Sequence, residues 1–368
     1  MSDVLIIGAG INGLLTAREL LAEGAAVMLL DKGRSFSEAS WAGGGIVSPL
    51  YPWRYSAGVT ALASWAQDFY PALTQELLSA TGIDPELVRS GLLMLDARDE
   101  VSALQWARSN QRSMDAVDPD FIYAREPQLA PGFRHGLWMP DVSNVRNPRL
   151  GEALLANLRQ HNRLTLIEGA EVRKIHRSDS VIESVAVVSK EAEKRIKADK
   201  FVICAGAWSA ALTTDLQFSL PVTPVKGQML LYKPAQRLVN SIVLSNGRYV
   251  IPRGDGHLLV GSTLEHCGFD KSVTAAGRDS LQESAQSMLP ALASIPLKAQ
   301  WSGLRPGSPD GTPFIGKLPA CANGYINAGQ YRNGLVLAPA SARLLVDLML
   351  KRQTIVDPEY YDPQRLVH

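Results

Sequence analysis

Residues 4–32 read VLIIGAGINGLLTARELLAEGAAVMLLDK, and the fold is decided there. Val4 to Ile7 form a short apolar run ending in glycine, the pattern of a buried parallel strand. Gly8, Gly10 and Gly13 follow at G-x-G-x-x-G spacing. From Leu14 onward apolar residues recur at helical intervals, and a second apolar run ends on Asp31. Together these make a strand–turn–helix–strand unit of about thirty residues, the size a dinucleotide-binding unit needs. In that unit Gly8 permits the tight turn, Gly10 admits a pyrophosphate against bare backbone, and Gly13 lets the helix lie close to the sheet. Ile11 and Asn12 open the helix, whose free N–H groups and positive end suit phosphates. Asp31, with Lys32 beside it, reaches a ribose; its charge disfavours a 2′-phosphate and so argues against NADP. This stretch leaves FAD and NAD unseparated.

The totals exclude several function classes. The 368 residues, 46% of them hydrophobic, suffice for two domains with sizeable cores. Thirty-seven basic residues against thirty-six acidic ones leave a formal charge of +1, with no basic face for nucleic acid. A small-molecule partner is the expectation. Cys204, Cys267 and Cys321 are odd in number and scattered, which suits a reduced protein without disulfides or a metal site. The first residues run straight into a strand, and no apolar run reaches the eighteen or so residues of a membrane span. A soluble, cytoplasmic protein is expected.

Beyond Lys32 comes SEASWAGGGIVSP (37–49), where Ser40, Ala42, Gly43, Gly44 and Gly45 let backbone lie against a flat or charged ligand. Helices are predicted over 58–82, 97–114, 149–161 and 275–289, and strands over 91–95, 165–175 and 201–204. Residues 118–142 read as irregular with short strands. Ala205, Gly206 and Trp208 form a second strand–glycine–helix junction, and Val172 brings backbone toward an adenine. From Pro221 strand-forming stretches dominate. The fold class is therefore α/β. A Rossmann-type cofactor domain (1–82, 142–220 and 302–368) carries a second, antiparallel-sheet substrate domain (83–141 and 221–301).

Seven segments fall in a telling order: GAGINGLLTAREL, ASWAGGGIVSP, FVICAGAWS, PVTPVKGQMLLY, RYVIPRGDGHLLVGST, SGLRPGSPDGTPFIG and GQYRNGLVLAPAS. In that order and spacing the chain resembles the FAD-dependent amine oxidases of the D-amino-acid oxidase type. Within them it resembles the branch that oxidises glycine and is linked to thiamine biosynthesis. The resemblance spans essentially the whole chain. It implies FAD as cofactor, dioxygen as acceptor, and glycine, sarcosine, N-ethylglycine or small D-amino acids as substrate. The products would be glyoxylate, ammonia and hydrogen peroxide when glycine is oxidised. The flavin performs the chemistry, so no catalytic side chain is assigned.

The resemblance also distributes roles. Arg305 binds the substrate carboxylate and the Tyr249 hydroxyl supports it. Arg332 lies beside the flavin edge and can reach the substrate, and Leu264 lines the side-chain end of the pocket. Gly303, Gly329, Asn333, Gly334 and Leu335 hold the flavin, with a helix N-terminus aimed at its reduced, negative edge. Relatives that attach FAD covalently carry a cysteine where this chain has Ser302 to Leu304, so the expected FAD is non-covalent and the three cysteines are packing residues. Gly247 replaces a histidine of some relatives, which leaves the substrate ranking open. A homotetramer is implied, with no nucleic-acid or membrane partner. Two alternatives stand: a D-amino-acid dehydrogenase or sarcosine-oxidase-like enzyme using another electron acceptor, and a flavin module without amine turnover, acting in binding or RNA modification.

Overall fold

The computed structural model describes residues 2–189 and 193–366. The opening stretch folds as strand Ser2–Ile7, helix Ile11–Ala22 and strand Val27–Leu30. Leu5, Ile6, Leu14, Ala17 and Leu29 are fully buried, and each leucine so placed contributes about 2 kcal/mol of transfer free energy. Glycine is required at two positions for plain steric reasons. Gly8 has a φ of +105°, and a Cβ there would lie 2.4 Å from the Cys204 carbonyl oxygen. A Cβ at Gly13 would lie 1.8 Å from the Gly8 carbonyl oxygen, so the first helix rests directly on the turn.

A six-stranded sheet runs in the order Phe314–Lys317, Gly324–Ala328, Ala198–Ile203, Ser2–Ile7, Val27–Leu30, Leu164–Ile167. Its neighbours pair in parallel except for Phe314–Lys317, which is antiparallel to Gly324–Ala328. The chain passes from Ser2–Ile7 to one side, while Ala198–Ile203 arrives on the other. That switch opens a crevice at the strands' carboxyl ends. Helices Ile11–Ala22, Ala57–Thr81, Asn147–Leu158 and Gly334–Met349 supply one core with Leu14, Leu62, Leu73, Leu154 and Leu344. The opposite core joins Leu5 and Phe201 to Ile175 and Val185 of a three-stranded sheet made of Glu171–Ser178, Val181–Val188 and Glu193–Ile196.

An eight-stranded sheet stands apart from the first. Its order is Ala299–Gly307, Thr223–Tyr232, Leu258–Gly261, Arg248–Pro252, Ile242–Ser245, Leu92–Leu95, Gly136–Met139, Asp115–Val117. The expectation of a purely antiparallel sheet is corrected at one pair, where Ile242–Ser245 runs parallel to Leu92–Leu95. Other expectations shift as well. The stretch 165–175 holds two strands in different sheets, because Gly169 turns the chain at φ +67°. Helix 97–114 shortens to Glu100–Ser109. Within 118–142 a helix, Pro119–Arg125, is capped by the Asp118 side chain, which accepts from Phe121 N–H at 2.9 Å. Asp-Pro at a helix start was a readable signal.

Pro339 sits inside helix Gly334–Met349, beyond its first turn, so the carbonyl of Leu335 loses its helical donor. The fully buried Tyr70 replaces that donor: its hydroxyl donates to Leu335 O at 2.6 Å. Two changes test this packing. Tyr70→Phe strands a buried carbonyl, which costs about 1–3 kcal/mol, and thermal unfolding should shift down accordingly. Gly13→Ala should abolish soluble folded protein, whereas Gly254→Ala, whose Cβ meets nothing within 4 Å, should leave the melting curve unchanged.

Candidate active site

A cleft with a cavity volume of about 320 Å³ runs from the carboxyl ends of the parallel strands to the near edge of the eight-stranded sheet. At one end lie Gly8, Gly10, Ile11, Asn12, Asp31 and Lys32; at the other lie Tyr249, Arg305 and Arg332. The glycine turn is braced from within. Asp31 accepts from Ala9 N–H and Gly33 N–H, each at 2.8 Å, and the Ser40 hydroxyl accepts from Ile11 N–H at 2.9 Å. Burial pushes the Asp31 carboxyl above its ordinary range, and the two N–H donors pull it back. Lys32 lies 3.2 Å from the centroid of the Trp208 ring, whose other neighbour is Phe269 in a stack at 5.5 Å. Burial lowers the Lys32 ammonium below its usual value.

Four amides lining this cleft carry buried polar atoms without a protein partner: Asn12 Oδ1, Asn147 Oδ1, Gln330 Oε1 and Asn333 Nδ2. Buried polar groups left so are costly unless a ligand satisfies them. Donors and acceptors both remain, beside a helix N-terminus and a ribose-reaching acid, and this set fits FAD. Val172, Ala205, Gly206, Gly43, Gly334 and Leu335 also line the cleft. Gly44 and Gly45 line it as well, but their lack of a side chain answers to the protein. A Cβ would lie 2.9 Å from Ile251 Cδ1 at Gly44 and 2.0 Å from Val145 O at Gly45.

The arginine-bearing end of the cleft is built on strand Ala299–Gly307. Its Arg305 guanidinium donates to Ser262 Oγ at 2.6 Å, to Thr263 O at 3.1 Å and to Lys226 O at 3.3 Å. All three acceptors are neutral. Among the described residues no carboxylate lies within 4.0 Å of it. Glu265 is held elsewhere: it bridges Lys226 at 3.1 Å and accepts from Gln228 at 2.8 Å. Burial lowers the Arg305 pKa, and the neighbouring Arg332 and Arg248 add to that, yet a guanidinium stays charged at neutral pH. Tyr249 lies beside it, 7% exposed. The ring fits because a Cβ at Gly261 would come 2.6 Å, and at Gly44 3.2 Å, from its Cε2. The hydroxyl rests 3.5 Å from the Met229 thioether, a weak acceptor that leaves it able to donate to a ligand.

Five expected site residues lie outside the cleft lining. Leu264 is 46% exposed, while Thr263 beside it turns inward and its hydroxyl accepts from Gln228 N–H at 2.8 Å. Gly13 packs against Gly8. Gly303 and Ala42 meet each other, a Cβ at Gly303 falling 2.6 Å from that of Ala42. Gly329 turns the chain at φ +84° against Phe314. Cys267 is exposed, so only Cys204 and Cys321 are buried packing residues. Burial pushes the Cys204 thiol up to about 12, which makes a poor nucleophile of the one cysteine on the cleft.

Some site residues escaped sequence reasoning. The Asn147 amide donates to Ser40 O at 2.7 Å and faces the cleft; its place at a helix start gave only the helix. Buried Arg253 donates to Gly44 O and Asn144 Oδ1, both at 2.8 Å, and to Val145 O at 2.9 Å. It ties the glycine loop to the eight-stranded sheet.

Known proteins resemble the chain over its full length. The family model described as FAD dependent oxidoreductase matches residues 3–348. A glycine oxidase of Pseudomonas aeruginosa is 53% identical over 360 residues, 98% of each chain. One of Pseudomonas putida is 49% identical, again over 98% of each chain. The crystal structure of glycine oxidase from Geobacillus kaustophilus superimposes with a TM-score of 0.92 at 30% identity, covering 100% of this chain and 99% of that one. The crevice, the glycine turn and these likenesses agree: the chain is an enzyme of the FAD-dependent oxidoreductase family.

Proposed function

We propose that the protein oxidises glycine, and other small amines α to a carboxylate, to the imino acid, which water hydrolyses to glyoxylate and ammonia. The carrying observation is the half-buried Arg305 guanidinium, turned to the cofactor cleft with neutral acceptors and, among the described residues, no carboxylate within 4.0 Å. Bound FAD would supply the acceptor for the α-carbon hydride and the redox link to dioxygen, which would become hydrogen peroxide. The side chains bind and orient. Arg305 pairs with the substrate carboxylate, Tyr249 donates its hydroxyl to the same group, and the amine is thereby held at a fixed distance from the anchor. The acids on the cleft, Asp31, Glu38 and Glu171, belong to the dinucleotide end, and no histidine lines it among the described residues. The chain thus supplies no base at the substrate end, so the amine must arrive unprotonated.

Non-covalent FAD follows from Ser302 to Leu304 and from the raised Cys204 thiol. A cofactor domain of 1–82, 142–220 and 302–368 is supported by the strands of the six-stranded sheet, which all come from it. A substrate domain of 83–141 and 221–301 is supported by the eight-stranded sheet, although Ala299–Gly307 crosses that boundary. Among the described residues no helix is long and apolar enough to cross a membrane. A cytoplasmic location and homotetrameric assembly belong to the same reading, together with a place in thiamine biosynthesis.

Steady-state turnover tests it. Purified protein should be yellow and release peroxide from glycine under air; dye reduction under nitrogen without peroxide under air would favour the dehydrogenase reading. kcat/KM should rise with pH as the amine deprotonates. Arg305→Ala should raise the KM for glycine about a hundredfold, from the roughly 3 kcal/mol that a lost buried charge pair costs, with FAD still bound. An unchanged KM would refute the assignment.

A further inference from the structure

The segment LEHCGFDKSVT, residues 264–274, lies between strand Leu258–Gly261 of the eight-stranded sheet and helix Ala275–Met288. From His266 to Val273 every residue is exposed, and a surface loop of that kind is ordinarily held loosely. Two buried side chains of strand Thr223–Tyr232 fix this one. The Lys226 ammonium, 2% exposed, bridges Glu265 at 3.1 Å and Asp270 at 3.7 Å, and donates to Ser272 O at 3.1 Å. A buried ammonium is costly unless paired, and here the pairing goes to the segment. Gln228 donates to Glu265 at 2.8 Å and to Thr274 Oγ1 at 2.9 Å. Thr274 in turn caps the following helix, its hydroxyl accepting from Gly277 N–H at 3.1 Å.

So held, the segment reaches two loops of the cofactor cleft. Phe269, 51% exposed, stacks on Trp208 with ring centroids 5.5 Å apart and planes at 27°. Two residues on, Lys271 bridges Glu38 at 2.8 Å, and its carbonyl accepts from the Ser302 hydroxyl at 2.5 Å. Trp208 and Glu38 both line the dinucleotide end of the cleft, whereas Phe269 and Lys271 do not. The Trp208 ring also carries Lys32. Glu38 stands two residues before Ser40, whose hydroxyl takes the Ile11 N–H of the glycine turn. Lys32 lies within electrostatic reach of Glu38, Glu171 and Lys271. An exposed phenylalanine and an exposed lysine thus back two cleft-lining side chains without entering the cleft.

We propose that Phe269 and Lys271 are cofactor-positioning residues: the 264–274 segment clips Trp208 and Glu38 in place, and the release of FAD is limited by the opening of that clip. The inference rests on the FAD site and holds for whichever amine is oxidised. Neither residue meets the substrate-binding arginine or tyrosine, so the effect falls on retention of the cofactor. Holding the lining side chains in their bound arrangement lowers the ordering cost of binding.

Flavin fluorescence tests it. Dilution of the FAD-loaded protein, followed by the rise of free-flavin fluorescence, gives the release rate. Phe269→Ala should release FAD about tenfold faster than wild type, the worth of one aromatic pair, and Phe269→Tyr should restore the wild-type rate. Lys271→Ala should speed release about threefold at low salt. That gap should close as the ionic strength rises from ~0.05 M to ~0.5 M, since an exposed ion pair is screened. Because Phe269 acts through Trp208, Phe269→Ala made in a Trp208→Ala protein should change the release rate by less than about twofold. The FAD-free variants should melt with the FAD-free wild type. Unchanged release in either single variant, additive effects with Trp208→Ala, or a matching loss of stability in the FAD-free protein would overturn the role. Protein that binds no flavin at all would instead overturn the FAD site, so the two readings fail separately.

Discussion

A half-buried guanidinium without a carboxylate is the constraint on which the site depends. Removing such an ion from water costs several kcal/mol, which an ion pair would normally recover. Here the chain withholds the pair. Glu265, two residues past Thr263, is bound to Lys226 and Gln228, and Arg305 receives only two carbonyls and a hydroxyl. Those acceptors fix the side chain while leaving its charge unspent. Space is arranged for it as well, since a Cβ at Gly227 would lie 2.2 Å from Arg305 Nη2. The register Val225↔Arg305 and Gly227↔Gly303 between strands Thr223–Tyr232 and Ala299–Gly307 sets that vacancy under the guanidinium.

Placing the charge opposite a cofactor cleft takes two sheets, and a few contacts hold them in register. Arg253 reaches from the end of strand Arg248–Pro252 to Gly44, Asn144 and Val145. Trp301 donates to Ala42 O at 3.0 Å from the other edge strand. The Gly43–Gly45 loop is thus pinned from both sides, with Tyr249 seated where Gly44 and Gly261 lack side chains. Lys226 and Gln228 tie the strand behind Arg305 to Glu265 and Thr274. Packing, rather than any single bond, decides where the anchor points.

What the sequence made legible divides along these lines. The opening unit was readable because its determinants are local: an apolar run, three spaced glycines, an amphipathic helix and an acid at the right distance. That Arg305 and Tyr249 share one cleft with the glycine turn was readable only through the order of motifs across the whole chain. Gly13 packs the first helix onto the turn, as its spacing implied, whereas Gly303 and Gly329 pack against other parts of the chain; absence of a side chain looks the same whether a cofactor or another strand fills the space. Leu264 turned outward since Thr263 took the inward place, which no local pattern signals. Pro339 was tolerated because Tyr70, far away in sequence, donates to the carbonyl it orphans. Asn147 and Arg253 act across more than a hundred residues, beyond the reach of periodicity.

The central claim is that Arg305 waits for a carboxylate, and equilibrium binding of glycolate tests it most directly. Glycolate keeps the carboxylate of glycine and lacks the amine, so it reports the anchor without turnover. Calorimetry on the FAD-loaded protein should show saturable binding to the wild type. Arg305→Ala should weaken it by roughly a hundredfold, the loss of one buried charge pair. Equal affinity for glycolate in the two proteins would contradict the account.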